Sequence, residues 1–188
     1  MVAEEAGHHC RVKGTDPVTI PVLIVTGPVG AGKTTVAAAI SAELERREVA
    51  HAWVDIDQLA QCYPRPVDDP FHGRLTMRNL ADVCRNFIAA GAGRLILPYV
   101  IEDAAGRAAI AAAVSGGEVT VVRLTVRPET VAARLRGRES GESLEWHLRR
   151  APELTAIMER KGIGDLIIET DGRTPEDLAS EILRLMSW

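Results

Sequence analysis

The chain has 188 residues, 46% apolar and 26% charged, with a formal net charge of −4. That length suits one domain with a buried core, and the acidic balance argues against nucleic acid as a main partner. No apolar run approaches the roughly 18 residues of a membrane span, which argues against a membrane partner, the acidic, polar start MVAEEAGHHCRVKG has no signal-peptide h-region, and the widely spaced Cys10, Cys62 and Cys84 fit a reducing cytoplasm.

In chain order, residues 1–17 read as a tail ahead of one domain, 18–188. His8-His9-Cys10 in that tail lacks the ligand spacing of a structural metal site, and Thr15-Asp16-Pro17 reads as a turn. Val22–Thr26 is a continuous apolar run, as expected of a buried strand. Thr34–Arg47 follows as a helix with Val36, Ile40 and Leu44 on one face. Val49–Asp55 reads as a second strand, in which His51 and Trp53 are packing residues. The proline- and aspartate-rich stretch 60–72 reads as a loop. A helix over Gly73–Ala90 carries the stripe Leu80, Val83, Cys84, Phe87 and Ile88, and stops at Gly91-Ala92-Gly93. Arg94–Val100 is a third strand, Asp103–Val114 an alanine-rich helix stopped by Ser115-Gly116-Gly117, and Glu118–Val126 a fourth strand. Pro128 opens the next helix, where its missing N–H costs nothing. Residues 137–143 read as a charged loop, Leu144–Lys161 as a helix interrupted at Pro152, and Asp165–Glu169 as a fifth strand. Thr174-Pro175-Glu176-Asp177 is a helix start with N-cap, N1 proline and first-turn acids. Strands alternating with helices predict an α/β, doubly wound, five-stranded parallel sheet covered on both faces.

The stretch GPVGAGKT, Gly27–Thr34, stands between the first strand and the first helix. It matches the full phosphate-loop pattern, GxxxxGK[ST]. Glycines let backbone N–H groups converge on phosphate oxygens, Lys33 supplies a point charge, Thr34 offers a hydroxyl to Mg²⁺, and the helix adds its positive end. The expected nucleotide contacts are Gly27, Val29, Gly30, Ala31, Gly32, Lys33, Thr34 and Thr35. No NKxD sequence accompanies them, which argues against a guanine-nucleotide switch. The third strand, RLILPYVIED, lacks an acid at the end of its apolar part, unlike most motor and transport ATPases. Glu102 and Asp103 come later and read as a helix start. Acids do stand after the second strand, as Asp55-Ile56-Asp57. On extended backbone the two point the same way, and at that sheet edge they face the ligand. Asp55, with Thr34, is expected to serve the metal, and Asp57 to accept a hydroxyl proton, with Asp55 as substitute for that role.

These residues resemble the small-molecule kinase branch of P-loop proteins: adenylylsulfate, gluconate and shikimate kinases and chloramphenicol phosphotransferase. The shared features are Gly27–Thr34, the acids Asp55 and Asp57, and arginines Arg134, Arg136 and Arg138 after the fourth strand; the DGDN sequence of some members is replaced by Ile56-Asp57-Gln58. The resemblance covers residues 20–188 and implies strand order 2-3-1-4-5, an arginine-bearing lid over 134–152, ATP and Mg²⁺ as cofactors, and a small hydroxylated acceptor. It also implies that Arg134 lies against the adenine or the phosphates and that a later arginine, Arg138, reaches the γ-phosphate, with Arg149 and Arg150 near. The loop Thr170–Pro175, including Arg173, stands where such kinases hold adenine. Lys33, Asp55, Asp57 and Arg138 thus form the expected catalytic set. On the acceptor side, Tyr63, Arg65, Asp68, Asp69, His72 and Arg74 are polar candidates, Arg78-Asn79 is a candidate anion or hydroxyl site, and Tyr99 points to the same edge. An acceptor with a base would need a stacking aromatic, for which Tyr63, Phe71 and Tyr99 are the candidates. The expected function is phosphoryl transfer from ATP to a hydroxyl of a metabolite, nucleotide-like compound or antibiotic; the alternative is a nucleotide-binding ATPase or regulator without an acceptor. The sequence leaves monomer and homodimer open.

Overall fold

A computed structural model describes residues 19–114 and 116–188. The tail 1–17, with His8-His9-Cys10, and Ser115 lie outside them. The elements are β1 (Pro21–Thr26), α1 (Lys33–Arg46), β2 (Ala52–Trp53), a 3₁₀ helix (Ile56–Ala60), α2 (Gly73–Ala89), β3 (Leu95–Pro98), α3 (Ala104–Ala113), β4 (Glu118–Thr125), α4 (Pro128–Arg138), α5 (Gly141–Arg160), β5 (Leu166–Glu169) and α6 (Pro175–Met186). The sheet is parallel throughout, in the expected order β2-β3-β1-β4-β5.

β1 is central, and its side chains from Val22 to Val25 are wholly buried. Leu23 and Val25 face Val36, Ile40 and Leu44 of α1 and Ile182 of α6. Val22 and Ile24 face Leu80 of α2 and Ile110 of α3 on the other side. The run is apolar without alternation because both faces are covered. Each such Leu or Ile contributes about 1.5–3 kcal/mol through burial. A third, smaller cluster joins α4 to α5 through Val131, Leu135 and Ala151.

Four local expectations are corrected. β2 spans two residues rather than Val49–Asp55; the chain turns into the 3₁₀ helix at Ile56, and Asp55, still extended, caps that helix by accepting from the Asp57 N–H at 3.1 Å. Trp53 in that strand is 38% exposed rather than packed, while His51 is held by Ser41 and by the Val49 carbonyl. The expected loop 137–143 shrinks to Glu139 and Ser140, since α4 runs on to Arg138 and α5 begins at Gly141. Helix α5 continues through Pro152. The proline removes one hydrogen bond, to the Leu148 carbonyl, and the buried neighbours Ala151, Leu154 and Met158 hold the helix together across the gap.

The start of α6 forms as expected. Thr174 accepts from the Asp177 N–H and Asp177 bonds back to the Thr174 N–H, a complete capping box with Pro175 at N1. Asp103 likewise caps α3, accepting from the Gly106 N–H at 3.0 Å.

Candidate active site

The loop between β1 and α1 needs its glycines for two different reasons. Gly27 has φ +151°, and a Cβ there would meet the Leu124 carbonyl at 2.8 Å, so β4 and the loop pack backbone to backbone. Gly32 has φ +93°, and its Cβ would enter open space with only an Arg134 Nη1 at 3.9 Å. That is the cradle itself: a hollow of bare backbone at the N-terminus of α1.

Lys33 folds back over the loop and donates to the carbonyls of Gly27 and Pro28, both at 3.1 Å. Burial lowers its pKa to about 8, with Arg138 adding to the effect and Asp57 and Asp55 opposing it. A poorly hydrated amine with weak neutral partners is poised to take stronger, anionic ones. Thr34 donates to the Asp55 carboxylate at 3.1 Å. These are hard oxygen donors, the set a Mg²⁺ ion uses when substrate phosphates complete its shell. Among the described residues, no cluster of three or more His, Cys, Asp or Glu side chains is positioned to hold a metal by itself.

Asp55 and Asp57 therefore do not lie along an extended strand. They occupy the cap and first turn of the 3₁₀ helix, and both remain within electrostatic reach of Lys33. Burial raises the Asp57 pKa, Asp55 raises it further, and Lys33 opposes both. Asp57 lines a 230 Å³ cavity over the loop together with Lys33, Thr34, Arg138 and His147.

The lid arginines divide. Arg134 donates to the Gly30 and Ala31 carbonyls and borders, with Arg173, Thr35 and Pro175, a 350 Å³ cavity on the far side of the loop. Arg173 is paired with Glu181 at 2.5 Å. Arg138 borders both cavities and is held by Glu139. Arg136 is exposed on another face of α4.

A larger cavity of 820 Å³ opens beyond Asp57. Its wall includes Arg65, Phe71, Tyr99, Trp146, His147 and Arg150. Several expected acceptor-side residues lie elsewhere. Tyr63 is 91% exposed and stands outside the wall. Asp69 caps α2 through the Gly73 and Arg74 N–H groups, Asp68 pairs with Arg74, and His72 donates to the Cys62 carbonyl. Asn79 donates to the Leu59 carbonyl and Arg78 is exposed outside the cavity wall. Glu102 is not merely part of a helix start: it reaches Arg150 at 2.5 Å across the cavity wall. Trp146 and His147 escaped the sequence reading. They sit on α5, whose apolar periodicity explains the whole segment without any ligand.

The profile of the AAA domain family matches residues 23–154. Among curated proteins none matches the sequence. Among solved structures, the Deinococcus radiodurans tunicamycin resistance protein is similar, with 21% identity, TM-score 0.61, and coverage of 89% of this chain and 95% of that one. A shikimate kinase from Acinetobacter baumannii, solved with shikimate, gives 22%, 0.57, 90% and 94%. The Mycobacterium tuberculosis APS kinase, solved with AMPPNP and APS, gives 20%, 0.55, 90% and 99%. At these identities the likeness establishes the fold, that of the P-loop small-molecule kinases. With a complete phosphate-loop sequence between β1 and α1, and a profile match running from β1 into α5, the chain belongs to the AAA domain family.

Proposed function

We propose that the protein transfers the γ-phosphoryl group of Mg²⁺-ATP to a hydroxyl of a small molecule. One observation carries this reading. The cavity over the phosphate loop and the 820 Å³ cavity share Val29, Asp57, Val100 and His147. A donor bound at the loop and an acceptor in the larger space would meet at Asp57.

In this reading Lys33 exchanges its two carbonyl partners for phosphate oxygens, and Thr34 and Asp55 hold the metal, which supplies charge neutralisation for the transferring group. Asp57 accepts the proton of the acceptor hydroxyl as that oxygen bonds to phosphorus and the bond to the β–γ bridging oxygen breaks. A carboxylate with a raised pKa is the better base for this. Arg138 faces the equatorial charge that spreads over the migrating group.

The end of β3 supports a second reading. Tyr99 follows Pro98 where an ATPase would carry an acid, as suits a slow nucleotide-dependent regulator also. Incubation with Mg²⁺-ATP and a metabolite extract of the source organism separates the two. Mass spectrometry should find a product heavier by one phosphate, absent with Asp57→Asn. Tight nucleotide binding without any such product would leave the regulator.

A further inference from the structure

The wall of the 820 Å³ cavity is polar by composition but largely committed to itself. The Thr76 hydroxyl donates to the His72 carbonyl. Ser143 donates to Glu139, and His147 hydrogen-bonds the same carboxylate. Arg150 is neutralised by Glu102 at 2.5 Å and Glu153 at 3.3 Å. A polyhydroxylated acceptor is bound through many free, directed polar groups, and this wall has few to give.

What remains free is of another kind. Phe71, from the loop before α2, is 72% exposed, and Trp146, on α5, is 46% exposed. Both border this cavity, as does Tyr99. Large rings held partly open to water beside a ligand-sized space are stacking surfaces. Trp146 is itself oriented by an edge-to-face contact with His147, at 4.8 Å and 73°. Arg65, on the same wall, makes no ion pair among the described residues. A guanidinium without a carboxylate partner suits a phosphate or sulfate oxygen pair. The volume falls in the range of cavities that enclose molecules of drug size, well beyond a single small sugar.

We propose that the acceptor is nucleotide-like: it carries a planar heteroaromatic ring stacked by Trp146 and Phe71, an anionic group met by Arg65, and the hydroxyl presented to Asp57. This rests on the phosphotransfer reading above for its last element only; the ring and the anion are read from the wall. Neither Trp146 nor Arg65 is buried, so truncation of either leaves the core intact.

The test separates binding from turnover. Isothermal titration of the full chain, with Mg²⁺ and a non-hydrolysable ATP analogue filling the donor site, is run against the four ribonucleoside 5′-monophosphates, their nucleosides and ribose 5-phosphate. The expected result is saturable binding of at least one monophosphate. Its affinity should fall about tenfold or more in Trp146→Ala, be largely restored in Trp146→Phe, and fall in Arg65→Ala. The nucleoside should bind more weakly than its monophosphate, and by the same amount to wild type and Arg65→Ala. Equal affinity for ribose 5-phosphate, or no loss in Trp146→Ala, overturns the stacking assignment. Binding without phosphoryl transfer from ATP would uphold this inference and sink the kinase reading. Transfer to a non-aromatic acceptor, with no nucleotide bound in the second site, would do the reverse.

Discussion

The Glu139 carboxylate accepts two hydrogen bonds from the Arg138 guanidinium, at 3.0 Å from Nε and 2.6 Å from Nη2. The same carboxylate bonds His147 and Ser143 on α5, so the corner between α4 and α5 fixes where Arg138 points. That direction is toward the cavity shared with Lys33 and Thr34.

Glu139→Gln should loosen this hold without touching the phosphate loop. We expect kcat to fall about tenfold, as positioning losses of this kind do, while KM for ATP changes less than twofold. Steady-state kinetics check it. A change confined to KM would mean that Glu139 serves nucleotide binding instead.

Glu139 also sets a pH dependence. Burial works against its charge, yet the bonds from Arg138, His147 and Ser143 prevail and bring its pKa from 4.5 to about 2. A carboxylate with a depressed folded-state pKa stabilises the fold fully above 4.5 and loses that contribution as pH falls from 4.5 toward 2. Urea unfolding at pH 6 and pH 3 should show a greater loss for wild type than for Glu139→Gln. Equal losses would remove Glu139 from the account.

Asp57→Asn keeps the side-chain shape and removes the base. Product formation should drop roughly 10²–10⁴-fold, with ATP affinity retained in equilibrium titration. Ordinary turnover by this variant ends the base assignment.

Thr34 and Asp55 touch each other at 3.1 Å. If they share a metal, Thr34→Ala and Asp55→Asn should each raise the Mg²⁺ concentration for half-maximal activity, by about 10- to 100-fold. A Mg²⁺ titration at saturating ATP reads this directly. An unchanged midpoint would assign the pair to structure alone.

Thr174→Ala should cost about 1 kcal/mol by opening the capping box of α6, a melting shift of about 2–4 °C for a domain of this size. Differential scanning calorimetry measures it.

The sequence was most legible where local and global demands coincide. Val22–Val25 had to be central because nothing but burial on both faces suits four apolar residues in a row, and Thr174-Pro175 announced its helix by capping chemistry. It was least legible where a distant contact overrides a local preference. Pro152 is a helix breaker by itself, yet Leu154 and Met158 are anchored in the core and α5 runs through it. Glycines and charges over 137–143 suggest a loop, yet Glu139 gathers three side chains and needs only a two-residue corner. Asp55 and Asp57 were found by their spacing, but the 3₁₀ turn that carries them has no apolar pattern of its own. Trp146 was hidden in plain view, because an aromatic on an amphipathic helix is ordinarily core, and only its exposure beside a cavity distinguishes it.

The brevity of β2 has a consequence for solubility. A seven-residue strand at that edge would have presented a row of unpaired amide and carbonyl groups, a template on which a second chain could add a strand. Two residues offer almost no such row, and the 3₁₀ turn that starts at Ile56 carries the backbone away from it. The same departure that brings two carboxylates to Lys33 also blunts the sheet against edge-to-edge aggregation.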